Sequence, residues 1–342
     1  MIRRLAPVAL ALAGALTLAA CGGSSDSAEP ELDPTKLTIY SAQHKNLVDA
    51  WVKGFETDTG IKVQVRQGKD ASMGNQLVAE GAKTPADVFL TENSPAITVV
   101  QDAGLLAKVD QSTLDQVQEA YRPSSGEWVG IAARSTVLIY NPSKISEADL
   151  PKSMLDLADP KWKGQWGGAP AGADFQAIVS GMLEAKGEDA TKTWLKGLKD
   201  NAKIYQNNIA TMKAVNAGEV PMGIMYHYYW YRDQALTKEG SKNTKLHYFK
   251  GEDVGAFVSV SGGGVLKASD RAADAQKFLG WITGPKGQEA LATSKSMEYA
   301  VGQGVASDPA LPTLESLQAP KIDPFALDGP KVIELMTGAG IL

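Results

Sequence analysis

Thiols and imidazoles are scarce in this chain. Its 342 residues hold one cysteine, Cys21, and three histidines, His44, His227 and His247. A single thiol excludes an internal disulfide and any metal site built from several thiolates. Catalytic signatures are missing too: there is no Gly-x-Ser-x-Gly elbow, no His-Glu-x-x-His helix and no phosphate-cradling loop. The run Gly262-Gly263-Gly264 lacks the Lys-Ser/Thr that would complete such a loop and reads as a backbone feature. Basic residues form no stripe and the formal net charge is -5, so nucleic acid is not expected as a partner. An enzyme is not expected, although 39 acidic residues guarantee chance carboxylate pairs.

What is present begins with an address. Arg3 and Arg4 precede an apolar stretch at 5–16, too short to span a bilayer permanently, and Leu18-Ala19-Ala20-Cys21 has the form of a lipobox. Residues 1–20 are therefore expected to be a signal peptide and Cys21 to carry lipid, anchoring the mature chain outside the cytoplasmic membrane. The alternative is an ordinary secreted protein with a stray cysteine at its cleavage site. Residues 22–35 are Gly, Ser, Asp, Glu and Pro with almost nothing apolar, the composition of a tether. At about 3.5 Å per residue it reaches roughly 50 Å.

From residue 36 onward the pattern is α/β. An alternating stretch at 36–42 is followed by Leu47, Val48, Trp51, Val52 and Phe55 at helical spacing, ending at Gly60, which suits a left-handed cap. Strands are expected at 61–65 and 87–91, with helices at 75–80 and after Pro95. Residues 128–141 read as one long extended crossover into a second α/β lobe, with strands at 164–169, 203–205 and 221–225 and helices at 174–185, 190–198 and 209–217. Residues 254–267 read as the return, followed by a helix at 270–283, and the tail from 309 should pack on the second lobe. The expected fold is α/β, two-lobed and periplasmic-binding-protein-like (type II), with two extended hinge crossovers. Lobe 1 is expected to comprise 36–136 plus 259–306, and lobe 2 to comprise 137–258 plus 307–342. Two lobes on a hinge enclose a cleft, a favoured ligand site.

The exceptional segment is Tyr226-His227-Tyr228-Tyr229-Trp230-Tyr231-Arg232, directly after an apolar strand. Were the strand to continue, Tyr228 and Tyr229 would face opposite sides of the sheet. Were a helix to start there, neighbours about 100° apart could bring both phenols to one point. A packed aromatic core with a polar edge is the plainer reading.

This segment, with Asn208-Ile209-Ala210 and residues 214–219 upstream, resembles the ferric-ion-binding proteins of ABC importers. Residues 39–44, 86–92, 128–134 and Glu298-Tyr299-Ala300-Val301 match family patterns in the same order, so the resemblance covers essentially the whole mature chain. It implies Fe³⁺ as cargo, with His44 and Glu92 as ligands from one lobe and Tyr228 and Tyr229 from the other. The chemistry agrees: a hard trivalent ion favours carboxylate and phenolate oxygen, and one carboxylate with two phenolates balances its charge. Alone, His44 could merely cap a helix and Glu92 could be solvated.

Four protein ligands leave about two octahedral positions for water or an anion such as phosphate or carbonate. By resemblance the anion would be held by Gly172, Ala173 and Asn208, with Arg134 either assisting or forming a hinge salt bridge. The chain departs from the family pattern at Ala171, where Ser is common, and at Tyr226, where an Asn precedes the tyrosines. No tyrosine lies in the Gly172 loop, unlike relatives with a third phenolate. The implied partner is an ABC permease in the cytoplasmic membrane, served by a monomer. The alternatives are the same fold holding a polyamine, thiamine or small anion in an aromatic box, or an extracellular hydrolase with a carboxylate pair in the cleft.

Overall fold

The computed structural model describes residues 32–342; Cys21, the expected signal peptide and most of the expected tether lie outside the described residues. The last tether residues already belong to the folded body. Leu32 packs against the Tyr40–Phe89 cluster, the Asp33 N–H donates to Gln64 at 3.0 Å, and Arg271 donates to the Thr35 carbonyl at 2.7 Å. No described helix is long and apolar enough to cross a membrane.

Among the described residues nine strands carry the fold: β1 (Leu37–Ser41), β2 (Val63–Gln67), β3 (Val88–Leu90), β4 (Val129–Tyr140), β5 (Trp166–Gly168), β6 (Ala202–Ile204), β7 (Met222–Tyr226), β8 (Lys245–His247) and β9 (Val258–Val265). They run in the order β2-β1-β3-β9-β4-β7-β5-β6, with β8 paired to β4. β1 pairs in parallel with β2 and β3, and β5 in parallel with β6 and β7. The two parallel sets are joined by the antiparallel pair β4/β9, the two crossovers expected from the sequence. All twelve residues of β4 are buried, as in a strand covered on both faces. The first half of β4 pairs with β9 and the second half with β7 and β8, so one strand serves both lobes.

Each lobe has its own core. In the first, Trp51 and Phe55 of the helix Lys45–Thr59 pack with Phe278 and Leu279 over β1, β3 and β4. The Trp51 indole N–H is satisfied by the Gly287 carbonyl at 2.8 Å. In the second, Trp166, Phe175 and Trp194 meet Val332, Leu335 and Met336 of the C-terminal helix Gly329–Gly338, so the end of the tail packs on this lobe, whereas Leu311 and Leu317 join the first core and Phe325 packs against Trp128. Each large apolar side chain buried this way contributes about 1.5–3 kcal/mol of transfer free energy.

Gly60 caps its helix at φ 75°, as its position predicts. The two helices expected at 174–185 and 190–198 are the arms of one element, Ala173–Asn201, broken where Gly187 takes φ 78°. The helix expected from 75 begins earlier, as Asp70–Glu80. Several elements have no counterpart in the expectation, β8 and the helix Pro285–Thr293 among them. β8 is only three residues long. The helix Pro285–Thr293 starts on Gly284-Pro285, a pair that reads as a break but here places Pro in the first turn, where its missing N–H costs nothing.

Candidate functional site

The first lobe presents His44 and Glu92 from just beyond the C-terminal ends of β1 and β3. The second presents Asp174, Asn208 and the tyrosines beyond β5, β6 and β7. Carboxyl ends of parallel strands are where α/β sheets expose side chains to a cleft. The tyrosines get there by the helical route: Tyr226 leaves β7 with extended backbone and the helix His227–Leu236 begins at the next residue. Tyr228 and Tyr229 therefore lie side by side, ring centroids 4.2 Å apart.

Their hydroxyls converge on one oxygen. Tyr228 and Tyr229 donate to Asp174 Oδ2 at 3.1 and 2.9 Å, and Asn208 Nδ2 donates to the same atom at 2.9 Å. The Tyr228 hydroxyl also lies 3.1 Å from Glu92 Oε1, which is 3.1 Å from His44 Nε2. The four residues expected as ligands are thus linked in one hydrogen-bonded chain between the lobes. Tyr228 has one proton for two carboxylates, so the cluster is rich in oxygen acceptors and poor in protons. His44 and Glu92 keep 17% and 21% of their side-chain surface, which leaves the cluster open to solvent on that side.

The protonation states follow from burial and charge. Burial, then the Asp174 and Glu92 carboxylates, push both phenols well above their usual range. Burial and the charge of Glu92 raise Asp174 to about 6, with Arg134 pulling the other way. Burial works against a proton on His44, but Glu298 and Glu92 outweigh it and raise its pKa to about 9. Burial works against charge on Glu92 as well; His44 and Arg134 win and hold it below the ordinary range. At neutral pH the first-lobe wall is a charged pair and the phenols are protonated.

Two expected anion holders are otherwise engaged. The Gly172 N–H donates to the Ala169 carbonyl at 3.0 Å, closing the turn that starts the helix at Ala173. Arg134, fully buried, takes the salt-bridge alternative: it pairs with Glu298, itself fully buried. Asn208 does hold an anion, but that anion is the protein's own Asp174.

Sequence reasoning missed Asp174, Asn93, Asp70 and Glu298. Asn93 Nδ2 donates to Asp70 and Asp174, at 3.2 and 3.1 Å, while its oxygen accepts from Ser259 at 2.9 Å. Asp70 accepts the backbone N–H groups of Glu92 and Asn93 at 2.8 and 2.9 Å and so fixes the turn that carries Glu92. Asp174 stood next to the expected anion holders Gly172 and Ala173, and Glu298 in a matched pattern; neither had a local signal of its own. His227 is buried and accepts from the Ser135 N–H at 3.1 Å, with burial lowering its pKa to about 3, and His247 lies in β8. Among the described residues no three His, Cys, Asp or Glu side chains gather as a metal cage, so a metal here would need the phenols.

The chain is similar in sequence and fold to known proteins. Residues 83–326 match the model of a bacterial extracellular solute-binding protein family. The chain is 57% identical over 341 residues to the Fe(3+)-binding periplasmic protein of Serratia marcescens, covering 100% of this chain and 99% of that one. It is 35% identical over 288 residues to the major ferric iron-binding protein of Neisseria meningitidis, covering 84% and 87%. Among solved structures, iron-bound HitA from Pseudomonas aeruginosa superposes with a TM-score of 0.84 at 41% identity, covering 90% of this chain and 100% of that one. A Trichodesmium protein in complex with iron and citrate gives 0.80 at 27% identity, covering 90% and 100%.

Proposed function

The chain belongs to the bacterial extracellular solute-binding protein family, and we propose that it captures ferric iron in the cleft between its lobes and delivers it to an ABC importer. His44, Glu92, Tyr228 and Tyr229 bind the ion, and Asp174 joins them as a fifth ligand. The observation that carries this reading is the convergence of both phenol oxygens on Asp174 Oδ2, at 3.1 and 2.9 Å, with Tyr228 also reaching the Glu92–His44 pair. Oxygen-rich, thiolate-free donors of this kind suit a hard trivalent cation.

Capture is an exchange of protons for metal. Fe³⁺ displaces the phenolic protons of Tyr228 and Tyr229 and the proton of His44, so up to three protons leave as one ion enters. Two phenolates and two carboxylates then surround the ion, with His44 as neutral nitrogen donor. Five protein ligands leave one octahedral position for water or an anion such as phosphate, carbonate or citrate. Because the donors come from both lobes, binding favours the closed form, which is the form a permease can distinguish from the empty one. The lobes divide as 36–136 plus 259–306 and 137–258 plus 307–342. The chain acts as a monomeric binding protein rather than an enzyme, with lipid at Cys21 keeping it close to its permease and raising its effective concentration there.

The test is optical. The chain from Gly22 onward, stripped by a chelator at low pH and given a ferric salt, develops a visible tyrosinate-to-iron charge-transfer band. A protein that stays colourless under these conditions sinks the iron reading.

A further inference from the structure

Two buried polar atoms without hydrogen-bond partners face each other behind the site. They are His44 Nδ1 and Glu298 Oε2, 3.5 Å apart. An imidazole that gives its Nε2 lone pair to a metal carries its proton on Nδ1, and that N–H needs an acceptor. Glu298 supplies one. Its other oxygen is paired with Arg134, and both side chains are fully buried. Arg134 thus supplies the positive charge that lets a carboxylate stand there.

The backbone delivers Glu298 with unusual constraint. Met297, immediately before it, takes φ 58°, a left-handed conformation that a side chain enters only at a cost. Tyr299, immediately after it, is locked to the crossover strand β4, its N–H donating to the Ala133 carbonyl at 2.8 Å and its carbonyl accepting from Ala133 at 3.0 Å. Arg134 is the next residue on that strand, and its guanidinium also lies 5.8 Å from the Tyr228 ring centroid. The pair therefore touches a ligand from each lobe.

We propose that Glu298 is a positioning residue for iron capture: it fixes the tautomer and orientation of His44 by accepting from Nδ1, with Arg134 as its counter-ion on the hinge strand. The proposal rests on the ferric reading above. When the lobes take up the ion, the 3.5 Å gap shortens to a hydrogen bond and His44 becomes a stronger nitrogen donor.

The test is a cycle on the iron-loaded mature chain. Glu298→Gln keeps the visible band, because both phenols remain, but speeds iron loss to a competing chelator about 10–100-fold, the usual cost of removing an outer contact to a metal-ligating histidine. The nitrogen modulation that coordinated imidazole imprints on the ferric electron-spin-echo signal weakens with it. In a His44→Ala background, Glu298→Gln then changes iron loss less than about twofold, the expectation for a residue acting through His44. Equal costs with and without His44 would overturn the proposal and leave Glu298 as a hinge ion pair only. If Glu298→Gln does not fold, the neutral pair Arg134→Gln/Glu298→Gln runs the same cycle: a cost that vanishes without His44 supports the proposal, and an equal cost overturns it. A colourless wild type refutes the ferric reading itself and is told apart from both.

Discussion

On the wall beyond β1 and β3, His44 and Glu92 stand partly exposed as a charged pair, the carboxylate ready at neutral pH and the imidazole with one proton to lose. On the wall beyond β5 and β7, Tyr228 and Asp174 are buried, Tyr229 is half-buried, and both phenols hold their protons tightly. The first wall can attract a cation from solvent; the second can hold it only by giving up protons. Under the proposed function this difference assigns affinity and release chiefly to the phenols, and capture chiefly to the carboxylate that remains reachable. It also makes acid the natural means of opening the site.

The largest effect that probes this contrast is therefore pH. With two protons leaving the second wall and one leaving His44, iron affinity should fall by up to about a thousandfold for each unit of acidification below pH 9. Competition against a chelator of known proton stoichiometry between about pH 5 and 8 measures the slope. A slope of one proton or less would mean that the phenols do not ionise and that the two walls do not differ as described. Next in size is Tyr229→Phe, which removes one phenolate and leaves its ring in place. It should bleach most of the visible band and weaken binding beyond the roughly 100-fold ceiling of an outer contact. The reciprocal change on the first wall, Glu92→Gln, should leave the band near its wild-type energy while slowing capture.

Much of this arrangement was legible in the sequence, for physical reasons that differ by element. The crossover β4 could be read because twelve consecutive residues are buried on both faces and nothing interrupts them. Gly60 could be read because a left-handed cap favours glycine. The tyrosine pair stood out by composition, yet its geometry depended on whether β7 ended at Tyr226, which the sequence left open. Asp174 was hidden by ordinariness: an acidic residue in the first turn suits the helix dipole anywhere. Only tertiary structure distinguishes an aspartate that greets solvent from one that receives two phenols and two amides. Asn93 and Glu298 were hidden likewise, because their partners lie 81 and 164 residues away.

Asp174 gives the next prediction down the scale. If it stands in for an external anion, wild-type iron binding should not require added phosphate or citrate. Asp174→Asn should lose at least the roughly 10–100-fold that an outer contact costs and become anion-dependent, recovering part of the loss when citrate is supplied. A wild type that already needs an anion would show that the second wall is incomplete without one, and that Asn208 serves the anion rather than Asp174. Titrating iron binding with and without citrate in both proteins decides between these.

The smallest effect concerns the metal-free protein and isolates the first wall. His44 has a folded-state pKa of about 9 against 6.5 for the free side chain. Its proton therefore contributes stability that is fully present below pH 6.5 and is lost as pH rises through 9. The upper bound is about 3 kcal/mol, or several degrees in melting temperature. Other groups vacate that window. Burial, followed by Glu92, raises Asp70 to about 7 and Asp174 to about 6, so their contributions, present below pH 3.8, are lost as pH rises through about 7 and about 6 and are small above about pH 8. Glu298 opposes burial through Arg134 and His44 and titrates near 2, so what it contributes is lost only in strong acid. Between pH 8 and 9, then, the melting temperature of the metal-free wild type should decline while that of His44→Gln stays nearly flat. A decline of equal size in both would mean that the charge on the first wall is not carried by His44, and that the two walls start from the same state.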